Sequence, residues 1–236
     1  MSPIITQNSW SLRKEIFDYL SNQIESGVLI PGSLINVRQL TEKLNVSRTP
    51  LREALAQLEI QGLVSILPQR GVRINVLMYE DLLDLFEIIG ALESQVVEKV
   101  FHEITGNEIK QMKRCNQTMK QAIVKGKNKI FHETNILFHK VFLDLSANRE
   151  LTSYVSSLKL RLFGFALKSY RNRFKRAIVE EHTVFIDLLG KNDPMAAADY
   201  LKDVHWKFNY PDNFIRPDVV ADNTTAKINN GGNRPY

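Results

Sequence analysis

The stretch Leu40-Thr41-Glu42-Lys43-Leu44-Asn45-Val46-Ser47-Arg48-Thr49-Pro50-Leu51-Arg52-Glu53-Ala54-Leu55 decides the fold class of this chain. Val37, Leu40 and Leu44 form the apolar side of a short amphipathic helix, and Asn45 marks a tight break after it. A second helix follows. The Thr49 hydroxyl is placed to cap it, and Pro50 suits the first helical position, where a missing N–H leaves nothing unpaired. Leu51, Ala54, Leu55 and Leu58 recur at helical spacing and form its inward face. Arg48 and Arg52 then point outward together from the start of this helix. Two helices meeting at a tight break, the second led by arginines, form the pattern of a helix-turn-helix whose second helix enters a DNA major groove.

The flanking sequence fits the same unit. Asn8 to Ser26 reads as a helix with Leu12, Ile16, Leu20 and Ile24 on one stripe, stopped at Gly27, and Pro31-Gly32 marks a turn. Gly62 ends the second helix of the motif. Leu63 to Leu67 and Val72 to Val76 read as strands joined across Pro68-Gln69-Arg70-Gly71, which predicts a hairpin wing. Arg70 sits at its tip, and Gly71 lets the backbone approach a phosphate closely. The candidate DNA contacts are therefore Arg38, Ser47, Arg48, Thr49, Arg52, Arg70 and Gly71.

Composition bounds the rest. A chain of 236 residues that is 44% hydrophobic and 24% charged suits one or two soluble domains. The net charge of +5 and pI near 9.2 favour an anionic partner without identifying it, so the DNA reading rests on the named arginines. One cysteine, Cys115, excludes an internal disulfide framework, fits a reducing compartment and reads as an incidental thiol. Met1 to Trp10 has no secretory pattern, and no apolar run reaches the roughly 18 residues of a membrane span. Cytoplasmic residence is the expectation.

From Met78 onward helical spacing dominates. It predicts helices near 80–103, 107–124, 129–146, 149–170, 174–190 and 193–208. In the last break, Gly190 stops one helix, Asp193 caps the next and Pro194 starts it. Leu151 to Leu167 is apolar on most faces and reads as a central helix. The fold class is mainly α: a winged helix-turn-helix with a small β-hairpin wing at 8–76 and an all-helical bundle at 79–208. The Asn-, Asp-, Pro- and Gly-rich segment 209–236 is expected to be a disordered tail.

Histidines supply the second signal. Asn135 and His139 share one helix face, four residues apart, while His182 and His205 lie on the next-to-last and last helices. Three imidazoles entering one bundle could bind a divalent metal, Zn, Ni or Mn, or could each be satisfied core groups. His132 lies about 10 Å from His139 along the helix, and His102 has no comparable partners. Arg161, aligned with Tyr154, Leu158 and Phe165, needs an anionic partner if buried. That partner is a ligand carboxylate or an internal carboxylate such as Glu93.

Residues 8–76 resemble the winged-helix domain of the GntR family of bacterial transcription regulators, through Val46 to Leu55, Leu58-Glu59 and Gly62-Leu63-Val64. The later helices resemble the FadR-type subgroup, whose helical sensing domain is called FCD, and the histidines anchor that likeness. The resemblance implies a homodimer that binds a palindromic DNA operator and responds to a small-molecule effector. It also implies a metal site at Asn135, His139, His182 and His205, with Asn135 standing where metal-binding members have Asp. Several FCD members bind carboxylic acids, and many carry an Arg three residues before a Leu-Glu pair. Here Ile89 precedes Leu92-Glu93 instead, which predicts that an acidic effector would rely on metal and Arg161, whereas a site without metal would prefer a less charged, more apolar ligand. Two other readings are a metal-dependent hydrolase or hydratase built on the three histidines, and an architectural DNA binder without an effector.

Overall fold

The structure, a computed structural model, describes residues 9–166 and 172–207. The expected tail at 209–236 and residues 167–170 of the expected helix 149–170 lie outside them. Helix α1 (Ser9–Glu25) leads to a two-residue strand β1 (Leu34–Ile35), then α2 (Val37–Leu44) and α3 (Arg48–Ile60). Strands β2 (Val64–Leu67) and β3 (Gly71–Ile74) form the expected hairpin, with Val64 opposite Ile74 and Leu67 opposite Gly71. β1 pairs antiparallel with β3, making a three-stranded sheet in the order β1-β3-β2. Two residues are too few to show alternation, so this strand has no signature of its own in the sequence.

The helix-turn-helix forms as its residues dictate. Asn36 caps α2, its Oδ1 accepting from the N–H groups of Arg38 and Gln39 at 2.9 and 3.3 Å. Asn45 closes it in the left-handed region at φ 52°, the backbone reversal that directs the chain into α3. α3 begins two residues earlier than the Thr49 cap implies: Ser47 occupies the N-cap without a capping bond, and Pro50 is the third helical residue. Proline is tolerated there because the first four N–H groups have no intrahelical acceptor. Leu51, Ala54, Leu55 and Leu58 are buried with Ile16, Leu20 and Ile24 of α1 in one apolar core. Beyond α3, Asn75 Nδ2 donates to the Gly62 carbonyl at 2.9 Å and Ser65 Oγ donates to Asn75 Oδ1 at 2.6 Å, tying the wing to the end of the helix.

The remaining chain is helical: α4 (Tyr79–Val100, followed by a 3₁₀ turn at Phe101–Glu103), α5 (Gly106–Val124), α6 (Asn128–Leu143), α7 (Arg149–Ala166), α8 (Asn172–Leu189) and α9 (Pro194–Tyr200). α5 opens on a capping box between Thr105 and Glu108, and Asp193 caps α9 through Ala196 N–H with Pro194 at the first position. α6 stops short of the expected residue 146 because Leu145 and Ser146 bond three residues back, tightening the last turn. α9 runs into a π-helical turn at Leu201–His205, closed by Trp206 N–H on the Leu201 carbonyl at 2.9 Å. A second apolar core runs from Leu77 to Trp206. α7 is not central along its whole length. Tyr154 is exposed, and among the described side chains the helix is covered on most sides around Leu158 to Phe163, where Leu160 packs against the first core.

Candidate functional site

The outward row of α3 presents Arg48, Thr49 and Arg52, all exposed, opposite its buried leucines. Arg52 shares a groove of about 650 Å³ with Arg38 of α2 and Arg70 of the wing tip, over a floor that includes Val37, Leu55 and Val72. Arg38 Nε lies 3.2 Å from Glu42 Oε1, an exposed pair of a kind that holds side chains weakly. Among the described residues no carboxylate forms an ion pair with Arg48, Arg52 or Arg70. Cations converging from two helices and a wing form the electrostatic footprint of a phosphate backbone. Gly71 has a further reason to be glycine: at φ 103°, a Cβ would stand 2.6 Å from the Ile35 carbonyl oxygen of β1.

The second site lies inside the helical core. α6, α8 and the π-turn bring His139, His182 and His205 together, buried, with one nitrogen of each within 4.8 Å of the others. His139 Nδ1 donates to Glu93 Oε2 at 2.8 Å and His205 Nδ1 donates to Glu181 Oε2 at 2.9 Å. Each carboxylate fixes the proton on Nδ1 and leaves Nε2 as a lone pair turned inward, the arrangement of carboxylate-oriented metal ligands. Those two Nε2 atoms are 3.3 Å apart. The His182 ring stacks on Phe138 at 3.7 Å, and neither of its nitrogens has a hydrogen-bond partner. Asn135 Oδ1 is likewise buried without a partner, and Asn135 lines a small cavity with His205 and Trp206. Buried acceptors without donors, one nitrogen of the neutral His182 ring and Asn135 Oδ1, are what a cation would satisfy. These residues could hold a metal ion.

Burial sets the electrostatics. It pushes the His139 imidazolium down to about 3, against the pull of Glu93, and drives His182 well below its ordinary value, with His205 and His139 adding to the effect. Both rings are neutral near pH 7, the form a metal needs. Burial would raise Glu93, but His139 and Lys159 outweigh it and hold the carboxyl at about 2. Lys159 pairs with Glu93 Oε1 and lies 5.1 Å from the Trp206 ring, whose Nε1 donates to Glu93 Oε2 at 2.8 Å.

The structure brings His139, His182, His205 and Asn135 into one region and leaves Arg161 elsewhere. Arg161 is about a third exposed, packs on Gly62 at the junction of the two cores and lies 3.6 Å from Asp81. Glu93, a candidate internal partner for Arg161, pairs with Lys159 instead, and Arg161 pairs with Asp81. Ile89 is fully buried in the core. His132 is buried against Phe131 and Phe163, and His102 is exposed; neither joins the cluster. Glu181 diverges from its neighbour His182, as adjacent helical positions must, yet reaches His205 across the bundle. A glutamate beside one histidine and a tryptophan beside another are visible in the sequence, but only as neighbours in the chain.

Comparison with known proteins identifies the assembly of these two sites. A model of the gntR family of bacterial regulatory proteins matches residues 12–74, and an FCD-domain model matches residues 84–204 of the 236. The Nta operon transcriptional regulator of Aminobacter aminovorans is 32% identical over 171 residues, 71% of this chain and 79% of that relative. This chain belongs to the gntR family. The HTH-type transcriptional regulator YdhC of Bacillus subtilis is 26% identical over 189 residues, 79% of this chain and 84% of YdhC. The fold matches E. coli McbR/YncC with a TM-score of 0.70 at 20% identity, over 86% of this chain and 94% of that one. As a gntR-family member with an FCD domain, the protein is a transcription regulator that binds DNA through its winged helix. Its domains and relatives are those of regulators rather than of hydrolases. Among the described residues no helix is long and apolar enough to cross a membrane.

Proposed function

We propose that the protein binds a palindromic operator as a homodimer and responds to a small-molecule effector, a carboxylic acid, beside a divalent metal in the helical domain. Residues 8–76 engage DNA and residues 79–208 sense and dimerise. Arg48, Thr49 and Arg52 enter the major groove, while Arg38, Ser47 and the Arg70–Gly71 wing meet phosphates and groove edges. The observation that carries this reading is the convergence of Arg38, Arg52 and Arg70 on one groove. Two copies related by a two-fold axis would place two recognition helices one DNA turn apart, roughly 34–36 Å. Selection from a random duplex pool should therefore yield a two-fold site. Arg48→Ala or Arg52→Ala should weaken the selected site by roughly 1–3 kcal/mol, and Arg70→Ala should lower the salt slope by about one. Sites without two-fold symmetry, or unchanged binding in the Arg48/Arg52 double variant, would overturn it.

The unpartnered nitrogens of His182 and oxygen of Asn135 support the metal reading. A bound Zn²⁺, Ni²⁺ or Mn²⁺ would supply a fixed positive charge to an acidic effector. His139, His182, His205 and Asn135 would hold it; Glu93 and Glu181 orient two of the rings. Metal analysis of dialysed protein should give one equivalent per chain, most of it lost in His182→Ala and held more tightly in Asn135→Asp. Equal metal content in wild type and His139→Ala/His205→Ala would remove the site.

A further inference from the structure

A cleft of about 520 Å³ lies at the junction of the two cores, sharing no lining residue with the groove of Arg38, Arg52 and Arg70 or with the histidine cluster. Arg73 of β3, Ser65 and Asn75 wall it from the winged-helix side, and Leu77 and Arg161 from the helical side. Arg161 lies across Gly62, which sits at φ +72° and whose missing Cβ would stand 3.3 Å from Arg161 Cδ and Nε. Its Nε is shut off from solvent and has no acceptor. Its nearest carboxylate oxygen, Asp81 Oδ1, is 3.6 Å from Nη2, beyond a hydrogen bond, and Asp81 Oδ2 already accepts from Met78 N–H at 2.9 Å. A guanidinium has five donors and no acceptor, so this one, paired in charge with Asp81 and packed on Gly62, keeps donors free for an anion. Ser65 Oγ donates to Asn75 Oδ1, and Asn75 Nδ2 donates to the Gly62 carbonyl, which fixes the polar wall. No carboxylate lines the cleft among the described residues.

We propose that this cleft binds a small polyanion, a phosphorylated or polycarboxylate metabolite, which bridges Arg73 and Arg161 and clamps the winged helix onto the helical domain. Planar guanidinium forks match phosphate and carboxylate oxygens in pairs. The volume falls within the ~300–1,000 Å³ of small-ligand sites. Because the two arginines come from different domains, the anion binds only the packed arrangement tightly. It therefore shifts the population toward that arrangement. This second input is independent of metal and of the histidine cluster.

The test is calorimetry on full-length, metal-free protein without DNA, using pyrophosphate, inorganic phosphate and tricarballylate against chloride at matched ionic strength. One pyrophosphate or one tricarballylate should bind per chain. Stronger binding of the first identifies a phosphorylated ligand and of the second a carboxylate one. Arg73→Gln, a change at an exposed strand position that leaves the core untouched, should weaken binding at least tenfold. Arg161→Gln should do the same, Arg161→Lys should retain part of the affinity, and Arg70→Gln should leave it unchanged. Hydrogen exchange should slow at both 62–75 and 158–162 when the anion is added. No binding of either polyanion at millimolar concentration, or binding that survives Arg73→Gln with Arg161→Gln, overturns the proposal.

Discussion

Replacing Glu93 by Gln would leave the Lys159 ammonium buried without its counter-charge and remove the acceptor that sets the His139 tautomer. Breaking a buried pair from one side commonly costs about 3–5 kcal/mol, so Glu93→Gln should lower the urea midpoint strongly. Adding Lys159→Met to that variant should restore much of the loss, because no orphaned charge remains. If the two single changes simply add, the pair is not the reason for the cost. The same buried groups set a pH response in metal-free protein. His139 and His182 titrate below 6.5 in the fold because burial disfavours their charged form. As pH falls through 6.5 toward the His139 value near 3, the unfolded chain takes up protons that the folded chain refuses. Stability is therefore full above about 6.5 and declines below it, at up to roughly 1.4 kcal/mol per pH unit for each ring. Glu93, lowered from 4.5 to about 2, adds loss in the same direction below 4.5. A melting temperature flat between pH 7 and 5 would contradict neutral buried histidines.

At the scale of elements, the C-terminal turn and α7 position the histidine site. The π-turn places His205 and Trp206 side by side, and α4 accepts Trp206 only because residue 90 is glycine. A Cβ on Gly90 would fall 2.8 Å from Trp206 Cβ. Gly90→Ala should gain helix propensity of about 1 kcal/mol and lose more, roughly 1–3 kcal/mol, to overpacking. The ring would have to leave Glu93, so the variant's tryptophan emission should shift to the red; an unshifted spectrum and unchanged stability would reject this contact as the constraint. α7 sends three successive residues to three places: Lys159 to Glu93, Leu160 to the winged-helix core and Arg161 to Gly62. It is the one helix, among the contacts described, whose adjacent side chains reach both the histidine site and the DNA-binding unit.

For the whole molecule, the two apolar cores meet where α7 packs against α1, with Arg161 on Gly62 after α3 and the 75–77 segment beside them. Leu160→Ala removes apolar contact from that seam without touching either core's centre. Calorimetric unfolding should show one transition in the wild type and separate toward two in the variant as the winged helix melts independently. A single undiminished transition in the variant would show that the seam contributes little to cooperativity. Metal should act on the helical unit alone: at a hundredfold excess over Kd, a ligand of the folded state adds about 2.7 kcal/mol.

Local chemistry was legible in the sequence. Asn45 ends α2 and the buried row Leu51, Ala54, Leu55 and Leu58 builds α3, because capping and 3.6-residue periodicity act between chain neighbours. The same holds for the Gly190–Pro194 break and for the helical places of His139, His182 and His205. Placement across the bundle was not legible. Lys159 and Arg161 are two residues and about 200° apart on a helix. Which of them meets Glu93 depends on how packing rotates α7. β1 exists only because β3 offers it a partner, and Glu181 serves His205 rather than its chain neighbour because α8 and the π-turn face each other. Pairings between residues distant in the chain are energies of the assembled core, so only the tertiary structure could decide them.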